Sequence, residues 1–418
     1  MAAVHALKQL ACIQSVSQLI AMLLVIGPSP AHTIQSTNRA GRSWLEAMIS
    51  EAGGTSEPTS QFPIPLSGAP GFSNQAKQYL IVTSPSQGKV VYAQVNAGSS
   101  TSKTARALVD AGLVEPRGVA VHAKSGWLFI ADAGANSIFH YNLLIDDFSL
   151  QTNGGRITIV ENSTVDSVCV DDDGNLYYTS GSTNNINKIP FKVLERLIDG
   201  SFEASALELV NAKELMAEAA VTAQMQIDER GSALPTDAPD AEPIIYSLYE
   251  ASINPLVSEP GAIQADGSIL LWTNKNDGGS AGTVVQGETD PQLPPLIGNS
   301  SALRPFPAEV LTRNSNAAYG LILTPSSVFW TTNETQDNTG VVWGQLLELS
   351  TTAKLMEGLM APRGLVWDRD GTAYVADEVL GNVFSFPTGR MMDNAPAATT
   401  INLKGPYGLA LVTIGAEN

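Results

Sequence analysis

PRGVAVHAKSGWLFIADAGANSIFHYNL, residues 116–143, reads as an apolar strand opened by Pro-x-Gly, a turn, a second strand ending in Asp132, a tight loop and a third strand. The same grammar returns at residues 362–387, PRGLVWDRDGTAYVADEVLGNVFSFP. Short apolar runs bounded by Gly, Asp and Asn are the pattern of strands joined by turns. Their recurrence marks a repeat architecture, in which blades or coils share one continuous core.

Aligning on the strand that ends in a small polar residue extends the pattern across the chain. LIVTS (80–84), LFIAD (128–132), LYYTS (176–180), LLWTN (270–274), VFWTT (328–332) and AYVAD (373–377) are second strands. A polar loop and a third strand come after each of them. Weaker fourth strands are visible at 105–109, 156–160, 309–313, 353–357 and 399–403. First strands are RGVAV, DSVCV, EPGAI, YGLIL and RGLVW, opened by Arg117, Asp166, Glu259, Tyr319 and Arg363. A sixth copy, YGLAL, opens at Tyr407 with no second strand after it, while the second strand at 80–84 has no convincing first strand before it. The two ends of the repeat region therefore complete one blade. The predicted fold is an all-β, six-bladed β-propeller closed by the C-terminal strand, which removes free sheet edges.

The opening residues are separated by 49, 93, 60, 44 and 44 positions. A bare blade thus takes about 44 residues, within the usual propeller range. The gap of 93 carries an insertion within residues 192–257, predicted helical over Leu207 to Gln226 and flexible over the acidic stretch Asp228 to Pro243. The gap of 60 carries a Pro-rich loop at 287–307. The organisation expected is a signal peptide at 1–31, a linker or surface strap at 32–77, and the propeller at 78–418.

The leader rests on Lys8, the apolar run Leu19 to Ile26, and Ser29-Pro30-Ala31 as a small-residue cleavage site. That run is too short to cross a bilayer, which takes about 20 residues, so no membrane span is expected in the mature chain. A secreted or secretory-lumen location is expected in turn. A buried N-terminal helix, or an organelle transit peptide using the Ser/Thr/Arg-bearing stretch Thr33 to Arg42, are the other readings. Net charge is −18, which argues against nucleic acid as a partner, since that needs basic patches. Of two cysteines, Cys12 lies in the leader, so no internal disulfide is expected and Cys169 reads as a small buried hydrophobe. The sequons at Asn162, Asn299 and Asn333 are no more than chance supplies in a chain this rich in Asn, Ser and Thr.

The carrying residues Pro116-Arg117-Gly118 with Phe129-Ile130-Ala131-Asp132, Pro362-Arg363-Gly364 with Tyr374-Val375-Ala376-Asp377, and Val328-Phe329-Trp330-Thr331 resemble those of the NHL, YWTD and SMP-30/gluconolactonase-like six-bladed propellers. The resemblance covers about residues 79–414. It implies the fold, which hosts enzymes, receptors and scaffolds alike. SMP-30-like lactonases hold one divalent metal in the central channel, with ligands at the openings of first strands. At those positions this chain has Arg117, Asp166, Glu259, Tyr319, Arg363 and Tyr407. Asp166 and Glu259 are the two of metal-ligating type, no Asn stands among the six, and two Arg repel a dication.

Six equivalent positions predict one ring around the axis. One expectation is that the charges pair, Arg117 with its neighbour Asp166 and Asp166 across from Arg363, and plug the channel. The other is that Arg117 and Arg363, with the two Tyr hydroxyls, hold an anionic or polyol ligand at the mouth. Two function classes are compatible with the ring: a non-catalytic propeller that binds a protein or small ligand and needs no cofactor, and a metal-dependent lactonase using Asp166 and Glu259. Asp171-Asp172-Asp173-Gly174 lacks the alternating spacing of a calcium loop and reads as a turn, like Asp266-Gly267 and Asp370-Gly371. Asp132 and Asp377 are read as fixing loops through backbone N–H groups. His122 and His140 stand at no metal-ligand spacing.

Overall fold

The computed structural model describes residues 77–95, 103–146, 149–210, 244–275, 282–291, 307–313, 316–333, 339–349, 351–389, 391–395 and 397–414. All belong to one compact unit, Ser73–Asn418. The expected leader at 1–31 and nearly all of the linker at 32–77 lie outside them.

The strands run in chain order as six blades. The first contains β1 (Lys77–Ser84), β2 (Lys89–Val95) and β3 (Arg106–Val109). The second is β4 (Pro116–His122), β5 (Trp127–Asp132), β6 (Ser137–Ile145) and β7 (Leu150–Val160). The third holds β8 (Ser167–Val170), β9 (Leu176–Ser180) and β10 (Asn185–Ile189), then helix α1 (Phe191–Ile198), β11 (Glu208–Val210) and β12 (Ile244–Glu250). The fourth is β13 (Pro260–Asp266), β14 (Ile269–Asn274), β15 (Val284–Glu288) and β16 (Glu309–Thr312). The fifth is β17 (Ala318–Leu323), β18 (Ser327–Asn333), β19 (Gly340–Leu346) and β20 (Thr352–Leu359). The sixth is β21 (Pro362–Trp367), β22 (Thr372–Asp377), β23 (Asn382–Pro387) and β24 (Ala398–Asn402), and after it comes β25 (Leu409–Ile414).

β25 pairs antiparallel with β1, from Lys77↔Ile414 to Val82↔Leu409, so the last strand supplies the inner strand of the first blade. The inner strands β25, β4, β8, β13, β17 and β21 each touch the next and close the ring. The closure expected from the orphan YGLAL copy is what the topology shows. A further link reinforces it: the Lys103 N–H donates to the Thr400 carbonyl at 2.7 Å, bridging the first blade's chain to the sixth blade's outer strand.

The third blade differs in detail from its sequence reading. Within the stretch 192–257, β12 is the outer strand of the blade sheet, and β11 pairs parallel to it as an added fifth strand. The described helix, α1, lies ahead of the stretch Leu207 to Gln226. α1 buries Val193, Leu194 and Leu197 on one face, and Phe191 just at its start stacks on Trp127 with centroids 5.1 Å apart. Glu208–Val210, at the head of the stretch read as helical, pairs as strand because β12 offers an unpaired edge. The rest of Leu207 to Gln226, and Asp228 to Pro243, lie outside the described residues.

The repeat's small residue has a packing cause. Inner strands crowd together around a narrow axis. A methyl group on Gly408 would collide with the carbonyl of Arg117, and one on Gly320 with the carbonyl of Arg363. In β4, β13, β17 and β21 the pairing register also slips at this point, between Pro116 and Val119, Pro260 and Ile263, Ala318 and Leu321, and Pro362 and Leu365. A bulge re-aims side chains and frees a backbone N–H. At the bulges of β13 and β17 the penultimate Thr of the second strand takes up a backbone N–H. Gly320 N–H donates to Thr331 Oγ1 at 2.6 Å, and the Thr331 hydroxyl donates to the Arg363 carbonyl of the next blade at 2.8 Å. Thr83, Thr179 and Thr273 make the same double bond between blades. Ala131 and Ala376 occupy the position in the two remaining blades.

Thr331→Val keeps the shape and removes both bonds. Each buried polar group left unpaired costs about 1–3 kcal/mol, so the variant should lose about 3 kcal/mol in urea unfolding, while Thr331→Ser should lose little. Equal behaviour of the two variants would show that the hydroxyl bridges carry no stability.

The Asp-Gly stretches are turns. Asp171 Oδ1 accepts from the Asp173 and Asn175 N–H groups at 3.0 and 2.8 Å, and Gly174 has φ +87°, where a side chain would strain the backbone. Asp132 accepts from the Val114, Glu115 and Ala135 N–H groups at 2.8, 2.8 and 3.1 Å. Asp377 accepts in the same way from Met360, Ala361, Val379 and Leu380. These buried carboxylates tie the loop that enters each inner strand to the end of the second strand. They thereby fix where Arg117 and Arg363, the residues that open those inner strands, are placed.

Candidate functional site

All six opening residues line one depression at the end of the channel where the inner strands begin. It has two lobes. One, of about 340 Å³, is lined by Arg117, Glu259, Tyr319, Arg363 and Tyr407 among others. The second, of about 470 Å³, is lined by Arg117, Asp166 and Glu259 together with Thr164, Gly181 and Ser182. Glu115, Arg117, Glu259 and Lys275 belong to both lobes and form the seam between them. Volumes of this order suit a small molecule.

The charges are organised in two chains of contacts. In the first, Arg117 Nη1 donates to Asp166 Oδ1 at 2.8 Å, and Arg117 Nη2 and Nε donate to Glu115 Oε1 at 2.7 and 3.0 Å. Lys275 Nζ lies 3.3 Å from Asp166 Oδ2, which also accepts the Gly181 N–H at 3.1 Å. Gly181 has to be small, because a Cβ there would stand 2.6 Å from that carboxylate oxygen. In the second chain, Arg363 Nε donates to Glu378 Oε2 at 2.8 Å. The Arg363 guanidinium carbon stands 4.4 Å from the centroid of the Tyr319 ring and 5.5 Å from that of Tyr407. Arg117 approaches the Tyr407 ring at 5.9 Å. Burial pushes the Tyr407 phenol up to about 12 against the pull of both guanidiniums, so it stays a neutral hydroxyl.

The neighbour pairing expected from sequence, Arg117 with Asp166, is present. Arg363 pairs with Glu378 of its own blade rather than with Asp166 across the ring. The reason is local: Glu378 directly succeeds the anchoring Asp377, and Asp166 is already engaged by Arg117 and Lys275. The ring reading did not include Glu115, Lys275 or Glu378. Lys275 and Glu378 stand one residue past the polar end of a second strand, at a position filled elsewhere by Pro85, Ala133, Gly181 and Asn333. Pro85, Ala133, Gly181, Lys275 and Glu378 all line the depression, so the same repeat alignment, shifted by one, would have found a second ring.

A divalent metal, which the lactonase resemblance implies, does not suit these donors. Both Asp166 oxygens face protein cations, one of them also an amide N–H, so a dication would have to displace an ammonium and a guanidinium. Among the described residues no three His, Cys, Asp or Glu side chains gather into a metal-type group. Elsewhere, His122 Nδ1 bonds Ser125 Oγ at 2.8 Å, and His140 lies in an aromatic cluster far from such a role. Burial pushes the Cys169 thiol up, away from the reactive thiolate.

No family model matches the chain, and no curated protein matches it. Solved structures do. A chain of a nidogen–laminin complex aligns with a TM-score of 0.52 and 13% identity over 80% of this chain and 98% of that one. The periplasmic gluconolactonase of Pseudomonas aeruginosa aligns with a TM-score of 0.44 and 12% identity over 81% and 99%. A candidate 6-phosphogluconolactonase of Bacteroides fragilis gives 0.46 and 11% over 81% and 99%. At 13% identity the likeness to the nidogen–laminin chain concerns the fold alone.

Proposed function

We propose that this is a secreted, non-catalytic propeller that binds a small ligand bearing an anionic group in the depression at the channel mouth. The observation that carries this is Arg363. Its Nε is held by Glu378 and its face by two tyrosines, while its two terminal nitrogens have no hydrogen-bond partner among the described residues. A guanidinium fixed in this way keeps a fork of donors ready for a carboxylate or phosphate, at small cost in ordering. The nidogen likeness supports a binding role only as a fold precedent. The lactonase reading needs a cation where Lys275 and Arg117 already stand.

Arg363→Ala tests the site. A thermal-shift screen of small carboxylates, phosphates and polyols against the parent should find stabilising compounds. The variant should lose at least tenfold in affinity for them. Its own melting temperature should change modestly, because Glu378 is partly exposed and stays hydrated. If instead the variant loses about 3–5 kcal/mol of stability, as for a broken buried pair, and no compound binds the parent, the pair is a channel plug.

Export is part of the proposal. Expression in a secretory host should yield a mature chain that begins at His32, read by intact mass. A secreted product that retains Met1 would overturn the leader.

A further inference from the structure

Taken together, the charges of the depression select among anionic ligands. Glu115, Arg117, Asp166 and Lys275 form one contiguous chain of two acids and two bases, and Arg363 with Glu378 forms a second neutral pair. Glu259 is left over. Its carboxylate is exposed, lies on the seam of both lobes, and has no ion-pair partner among the described residues.

Its backbone is also unusual. Glu259 has φ +50°, a region a non-glycine residue rarely enters and only at a cost in strain. Two hydrogen bonds hold it there: its N–H donates to Asn184 Oδ1, and its carbonyl accepts the Lys275 N–H at 3.1 Å. Strain that the surroundings maintain in this way is characteristic of ligand sites. Here it sets an unpaired carboxylate in the same lobe as the open end of Arg363.

From this arrangement we infer that the ligand is a small zwitterion, with its anionic group on the terminal nitrogens of Arg363 and its cationic group on Glu259. The inference rests on the binding role proposed above and narrows it. A purely anionic ligand would enter a depression that already carries one surplus negative charge, in a protein of net charge −18. It would gain at Arg363 and be repelled at Glu259. A zwitterion satisfies both groups and leaves the charge of the site unchanged.

Calorimetric titration of the full-length mature protein tests this with three ω-amino acids of different reach: glycine, 4-aminobutanoate and 6-aminohexanoate. For each of the three, the N-acetylated analogue lacks the cation and the primary amide lacks the anion. Butanoate and sorbitol serve as plain-anion and polyol probes. At least one zwitterion should bind, with its capped forms at least tenfold weaker. Glu259→Gln should reduce that zwitterion to the level of its N-acetylated form, and Arg363→Lys, which keeps the charge but loses the fork, should weaken it several-fold. Glu259 is exposed, so its variant folds with the parent. If butanoate or sorbitol binds in an Arg363-sensitive way and no zwitterion does, the ligand class is wrong and the binding site stands. If no probe binds, both fall.

Discussion

Removal of residues 405–418 should abolish the cooperative fold. β25 is the inner strand of the first blade and contributes to two core clusters, Ala410 and Val412 to one and Leu409 to the other. Fully burying a Val or Leu side chain contributes about 1.5–3 kcal/mol, so losing Leu409 and Val412 alone removes about 3–6 kcal/mol. Whole domains are stable by about 5–15 kcal/mol. The loss does not stop at burial. β1 would keep an open edge, β4 and β21 would lose the strand between them, and open edges pair with other chains. The truncated protein should therefore aggregate on expression and, if refolded, melt without a sharp transition. A synthetic 405–418 peptide present during refolding should restore soluble protein. A truncation that stays monomeric and melts as sharply and as high as the parent would show that blade one does not need the C-terminal strand.

The same closure was legible in the residues alone, because its signal was a mismatch of counts: six second strands, and one first strand displaced to the far end. Apolar alternation and the polar residue closing LFIAD and AYVAD set the register, and the structure keeps it. What composition could not show is how the ring is held. The Thr in LYYTS, LLWTN and VFWTT looks like an ordinary strand residue. Its role depends on an inner-strand N–H of its own blade and a carbonyl in the next, which are distant in sequence. The site was legible to the same depth. Periodicity brings Arg117, Asp166, Glu259, Tyr319, Arg363 and Tyr407 to equivalent places, but which charge meets which is a matter of ångströms. Lys275 reaches Asp166 and Glu378 reaches Arg363 from a neighbouring register position, which leaves Glu259, one of the six, without a partner among the described residues. The third blade was hardest to read, because its outer strand β12 returns only after the insertion, and no repeat spacing points to it.

His140 should make the protein sensitive to acid. It pairs across the sheet with Phe129 and Ile157, is fully buried, and lies 5.9 Å from the Trp127 centroid and 5.5 Å from that of Phe129. Neither ring nitrogen has a hydrogen-bond partner among the described residues. Burial without a partner pushes its pKa down from 6.5 to about 4, since a charge there has nothing to replace its hydration. In the unfolded chain the imidazole takes up a proton near 6.5, and in the folded chain only near 4, so between those values the unfolded state binds more protons. Stability from this group is complete above pH 6.5 and declines as pH falls through that window. The loss is about 2 kcal/mol by pH 5 and about 3 kcal/mol near pH 4. His140→Phe fills the same aromatic site without a titrating group. Urea unfolding at pH 8, 6, 5 and 4 should give two curves that agree to within about 1 kcal/mol at pH 8 and diverge on acidification, the variant becoming the more stable by about 2–3 kcal/mol. Every other titrating group is common to both proteins and cancels in the difference. Parallel curves across the range would mean that His140 finds a partner or water in the folded state, and that the orphaned imidazole is not what acid attacks.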